Sequence, residues 1–121
     1  SSPVNAPYDF VIAPYNDLAG TAALIEQHGA VSEEVARAMA EGALKVSGAN
    51  HAISVTGIAG PTGGTPEKPV GTVWIAQASK NAETWAVKRF YPGMRDRFKL
   101  LTSQAALDLL RRRLCGLKPR V

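Results

Sequence analysis

Between residues 57 and 71 the chain reads Gly-Ile-Ala-Gly-Pro-Thr-Gly-Gly-Thr-Pro-Glu-Lys-Pro-Val-Gly, with five glycines and three prolines in fifteen residues. Proline breaks helix interiors and central strands, and glycine weakens both. No regular element crosses such a stretch. It reads as a long structured loop, and loops of this length in compact domains are either functional or disordered.

The segments on either side carry ordinary helix and strand signals. Phe10 to Ala13 is a short apolar run bounded by Pro14, which suits a strand. Asp17 to Gln27 has Leu18, Ala22 and Ile25 near helical spacing, with His28-Gly29 as its stop. Ser32 is placed to cap a second helix, because its hydroxyl can accept from free backbone N–H groups. Glu33 and Glu34 suit the positive end of that helix. Val35, Met39, Ala43 and Val46 mark one face of it, widened by Ala36 and Ala40. Ala52 to Thr56 predicts a strand before the loop. After the loop, Thr72–Ala78 and Thr84–Tyr91 predict a hairpin across the turn at 79–83. Pro92-Gly93 ends it. From Met94 to Leu114 the apolar positions Phe98, Leu101, Ala105, Leu109 and Leu110 recur at helical spacing, and Gly116 is a stop. The order predicts one α/β domain over residues 1–121 with a mixed sheet.

Composition narrows the functional classes. The 121 residues are 45% hydrophobic and 20% charged, with a single cysteine, Cys115. One cysteine cannot form an internal disulfide, so a reducing cytoplasm is the expected compartment. With only two histidines beside it, no metal site is expected. No apolar run approaches the roughly 18 residues of a membrane span. The net charge of +4 is unevenly placed: residues 1–87 hold four basic and eight acidic side chains, and residues 88–121 hold ten basic and two acidic. A basic end can serve nucleic acid, an acidic lipid surface or a phosphorylated ligand. The simpler reading of Arg111, Arg112 and Arg113 is cations at the C-terminal end of a helix dipole. A nucleic-acid module would add a stacking platform, and the aromatics here are few and scattered.

The glycine-rich loop carries the strongest chemical signal. Glycines let a ligand approach the main chain, and successive free N–H groups can form an anion-binding concavity. Thr62 and Thr65 add hydroxyl donors. The loop is neither a P-loop nor a dinucleotide fingerprint, since no Gly-Lys-Ser/Thr follows and no helix opens from it. Ligand cradle and purely structural loop both remain open on this reading. Arg95 and Arg97 sit at the start of the last helix, where cations oppose the dipole. That placement points to an arginine fork for phosphate or carboxylate, or to plain exposed arginines. Tyr15-Asn16-Asp17 could supply a tyrosine donor or merely a helix cap.

Two runs are more specific. His28-Gly29-Ala30-Val31-Ser32-Glu33-Glu34-Val35-Ala36, and Thr56 through the loop to Trp74, closely resemble the CinA C-terminal domain family, the bacterial nicotinamide mononucleotide (NMN) amidases also called PncC and linked to competence and damage-inducible proteins. Phe90 to Asp96 resembles the family's Phe-x-Gly-Asp-Arg segment with one insertion. The resemblance covers residues 28–115 well and 1–27 poorly. It implies a three-layer α/β/α sandwich that hydrolyses the NMN carboxamide to nicotinate mononucleotide and ammonia without metal or cofactor. It also implies a serine nucleophile in a Ser-Cys-Thr-Gly-Gly loop, assisted by a tyrosine and a lysine of a Tyr-Ser-Asn-x-x-Lys segment.

The Ser-Cys-Thr-Gly-Gly loop, with its strand and helix, has no counterpart in this sequence. Tyr15 is the one catalytic position that the resemblance carries over, and the lysine position falls on Gly20. The resemblance places Gly60, Thr62, Gly63, Gly64 and Arg95 on the nucleotide. The first expectation is therefore an NMN amidase domain incomplete at its N-terminal side. The second is an inactive nucleotide-binding or regulatory relative tied to competence or DNA damage. DNA binding through the basic end ranks third. An N-terminal strand missing from the sheet would expose an apolar edge, so homo-oligomers are expected.

Overall fold

The computed structural model describes residues 21–120. The strand predicted at Phe10–Ala13, the first residues of the helix predicted from Asp17, and Tyr15 lie outside the described residues. The elements in order are α1 (Thr21–His28), α2 (Glu33–Ser47), β1 (His51–Gly57), β2 (Thr72–Ser79), β3 (Trp85–Phe90) and α3 (Arg95–Leu114).

Ser32 caps α2 as its sequence predicts: its hydroxyl accepts from the Val35 N–H at 3.3 Å and donates to the Gly29 carbonyl at 2.9 Å. Gly48 closes the helix in the left-handed region, its N–H donating to the Leu44 carbonyl. The described strands form one sheet in the order β1-β2-β3, antiparallel throughout. The predicted hairpin is β2–β3. The pair β1–β2 is antiparallel too, so the glycine-rich loop connects adjacent strands. A parallel pairing that would make the sheet mixed is not found among the described strands.

β2 lies centrally, and seven of its eight residues are buried. A strand enclosed on both faces requires a layer on each. Its side chains alternate accordingly. Val73 and Ile75 face α3, where they pack with Phe98, Ala106 and Leu109. Ala76 and Ala78 face α2, where they meet Ala36 and Ala40. The result is α2, sheet, α3: the three layers expected.

The buried stripe of α2 matches the predicted face at Val35, Ala36 and Ala40 and departs from it at Val46. Ala36, Ala40 and Leu44 line the sheet, whereas Val46 is 70% exposed. Alanine wins because the layers are close. Ser54 Oγ on β1 donates directly to the Ala36 carbonyl, so the helix backbone lies within side-chain hydrogen-bonding reach of the sheet. In α3 the predicted Phe98 and Leu109 are buried, joined by Thr102 and Ala106, while Leu101 and Ala105 are half-buried.

This seam is sensitive to volume. Ala40→Leu is expected to cost about 1–3 kcal/mol by overpacking. Val46→Lys should stay within roughly 0.5 kcal/mol of wild type. Urea denaturation of the two variants checks both.

Candidate functional site

The loop from Ile58 to Val70 contains no helix or strand, yet it is closely bonded. At its root the Ile58 N–H donates to the Thr72 carbonyl (2.9 Å), and the Gly71 N–H donates to the Ile58 carbonyl (2.7 Å). The Tyr91 N–H donates to the Gly71 carbonyl (2.8 Å), tying the root to the end of β3. At its tip Thr65 and Lys68 form a turn: the Thr65 N–H donates to the Lys68 carbonyl (2.9 Å), and the Lys68 N–H to Thr65 Oγ1 (3.0 Å). The Gly60–Pro61 peptide is cis.

Two glycines are required by space. Gly60 is buried with φ of +82°, and a Cβ there would stand 2.5 Å from a Val70 methyl. At Gly64 a Cβ would stand 2.6 Å from the Val70 backbone nitrogen. The two limbs of the loop therefore touch through Val70. Between them Thr62, Gly63 and Gly64 are exposed, and their N–H groups donate to no acceptor among the described residues. That is the free donor set an anion-binding cradle needs.

Arg95 Nη1 donates to the Gly60 carbonyl at 3.1 Å. The residue predicted at the ligand is thus brought to the predicted loop, with most of its donors left over. Arg97 Nη1 donates to the Pro92 carbonyl at 2.9 Å. The two cations that oppose the α3 dipole each hold a carbonyl that precedes the helix. Arg95 thus meets Gly60 at the start of the segment that carries Thr62, Gly63 and Gly64. Tyr15 lies outside the described residues.

The basic end engages its guanidinium groups within the chain. Arg113 stacks over Trp85, 3.7 Å from the ring centroid, and donates to Gln77 Oε1 (2.6 Å) and to the Glu83 carbonyl. Arg89 donates to the Arg120 carbonyl, and Arg112 to that of Lys118. Arg111 and Arg120 both bind Asp108, at 2.8 and 2.9 Å. The hydrogen bonds from Arg111 and then Arg120 hold the Asp108 carboxyl below the usual carboxylate range. Beside them an open cavity of about 270 Å³ separates β3 from α3, with Val87, Tyr91, Leu101 and Leu109 among its apolar walls.

One contact has no signal in the local sequence. His51 Nδ1 lies 2.8 Å from Ser79 Oγ at the opposite end of the sheet from the loop. Ser79 is 7% exposed and is also bonded by the Gln77 amide (2.9 Å). A buried hydroxyl shared in this way joins strand ends and does not present a nucleophile. Among the described residues no helix is long and apolar enough to cross a membrane, and no group of three His, Cys, Asp or Glu side chains is placed to hold a metal ion.

The sequence matches the family model for the CinA C-terminal domain over residues 15–114. The chain belongs to that family. A CinA-like protein of Akkermansia muciniphila is 50% identical over 106 residues, covering 83% of this chain and 26% of that protein. A CinA-like protein of Anaeromyxobacter dehalogenans is 58% identical over 90 residues, covering 74% and 22%. This CinA-family chain thus spans about a quarter of those relatives. Among solved structures, the competence/damage inducible protein CihA of Agrobacterium tumefaciens superimposes with a TM-score of 0.75 at 41% identity, covering 79% of this chain and 59% of the other. The CinA superfamily protein of Escherichia coli gives 0.69 at 34% identity, covering 74% and 52%.

Two outcomes test this geometry. Gly64→Ala should cost about 1–3 kcal/mol, because the atom it meets is fixed backbone; a thermal melt measures it. The Asp108 contacts should stabilise the fold fully above the unfolded carboxyl's pKa of about 3.9, and that contribution should vanish as pH falls through the lower folded value. Asp108→Asn should therefore flatten the acid limb of the stability–pH curve.

Proposed function

We propose that this CinA-family domain binds NMN at the glycine-rich loop and belongs to an amidohydrolase that releases nicotinate mononucleotide and ammonia. The observation that carries the reading is the run of N–H groups at Thr62, Gly63 and Gly64 without acceptors among the described residues, next to the Gly60 carbonyl that Arg95 holds. A phosphomonoester needs several donors and a cation, and the reading draws on three loop N–H groups with Arg95 bonded to Gly60 nearby. Acyl transfer at the carboxamide needs donors for the developing oxyanion, which loop N–H groups also suit. Solvent-facing positions at the tip leave room for a ligand of nucleotide size.

The reaction adds water across the carboxamide C–N bond, and it requires an activated nucleophile. Among the described residues no serine stands free at the loop. Ser32 caps α2, Ser54 holds the Ala36 carbonyl, and Ser79 is shared by His51 and Gln77. This observation favours a second reading, in which the chain holds the nucleotide without turning it over.

Calorimetry with NMN and an ammonia-release assay on the same sample separate the readings. Saturable binding with ammonia release supports the amidase. Binding without release supports the nucleotide-holding module. Neither binding nor release overturns both. Arg95→Ala is expected to weaken NMN binding about tenfold or more, the scale of one charged hydrogen bond.

A further inference from the structure

The loop tip is held to a distant part of the chain by one side chain. Lys68 Nζ donates to the His28 carbonyl at 2.8 Å. That carbonyl belongs to the last residue of α1, where a helix leaves its C=O groups without intrahelical partners and favours a cation. The acceptor sits on a fixed strut. In the connector from α1 to α2 the Gly29 N–H donates to the Ile25 carbonyl, the Gly29 carbonyl accepts from Ser32 Oγ, and the Ala30 carbonyl accepts from Thr56 Oγ1 at the end of β1. The donor sits on an ordered turn, since the Lys68 backbone is bonded twice to Thr65. A second residue makes room for the contact. Gly29 has φ of +82°, and a Cβ there would stand 2.9 Å from Lys68 Nζ.

We infer that Lys68 is a positioning residue: it latches the tip of the glycine-rich loop to the α1–α2 connector and so sets the arrangement in which the Thr62–Gly64 N–H groups meet a phosphorylated ligand. Arg95 holds the first limb of the loop at Gly60, and Lys68 holds the tip. The free segment lies between these two anchors. Loss of the Lys68 cation leaves Arg95 and the root hydrogen bonds in place. The loop tip then moves independently of the sheet, and a ligand must order it on binding. The ligand part of this inference rests on the proposed NMN reading; the latch itself does not.

Hydrogen exchange followed by mass spectrometry tests the latch on the chain itself. In Lys68→Met, exchange of the bonded tip amides of Thr65 and Lys68 should rise roughly three- to tenfold, the range for one cation-to-carbonyl contact, with the root amides of Ile58 and Gly71 and with β2 unchanged. Lys68→Arg keeps the cation and should restore most of the protection. Unchanged loop exchange in Lys68→Met, or an arginine variant no better protected than methionine, overturns the latch. Acylation of wild-type lysines gives a test that needs no variant. Lys68 should react several times more slowly than exposed Lys80 and Lys88, and equal rates overturn the inference. NMN calorimetry then separates the two levels. Weaker binding in Lys68→Met that arginine rescues supports positioning. Normal binding with a loosened loop overturns the positioning role. No NMN binding by wild type, with the exchange effect intact, retires the NMN reading and leaves the latch standing.

Discussion

The close approach of α2 to the sheet is the constraint on which the rest depends. Ala36 and Ala40 lie against Ala76 and Ala78, and the Ser54 hydroxyl reaches the Ala36 carbonyl. Small side chains on both surfaces bring the helix near enough for that bond. Its N-terminal turn is then fixed over β1, and the connector that precedes it is fixed as well. Thr56 at the end of β1 takes the Ala30 carbonyl, and the connector becomes a support for the loop tip. Alanine at the seam thus determines where Lys68 finds its acceptor.

On the other face the order of events is similar. Phe98 and Leu109 of α3 pack on Val73 and Ile75. That docking sets the first turn of α3 beside the loop root, where Arg95 reaches Gly60. The candidate site therefore draws one anchor from each helical layer, and the sheet between them holds the separation. The N–H groups of Thr62 to Gly64 are spanned by contacts that cost the loop its freedom before any ligand arrives, which is the condition for preorganised recognition.

Much of this was legible in the sequence. The loop announced itself through glycine and proline. Ser32 signalled its helix by capping chemistry, and the β2–β3 hairpin followed from two apolar runs around a polar turn. The residues that build the candidate site were marked by a long, specific motif. Two kinds of feature were not legible. Hydropathy marked Val35, which is buried, together with Val46, which is not, and gave Ala36 and Ala40 only the margin of that face; the distance between layers makes them its centre. Contacts between remote segments leave no local trace, and so the bonds of Lys68 to His28 and of His51 to Ser79 had no periodicity to betray them. Arg95 and Arg97 were visible as cations against a helix dipole, and the structure supplies the reason: each holds a carbonyl that precedes α3.

The joint between the loop root and α3 has a mechanical consequence. The Gly71 carbonyl is bonded to Tyr91, Arg97 grips Pro92, and Arg95 grips Gly60, all within one turn of the start of the helix. α3 has 20 residues, or about 30 Å of rod, held at that joint and again near its far end, where Arg113 stacks on Trp85 and donates to Gln77. The glycine-rich loop sits at the first of these two ends. A load at the basic end meets the Arg113 contacts before it meets the loop, whose shape answers to its own two anchors.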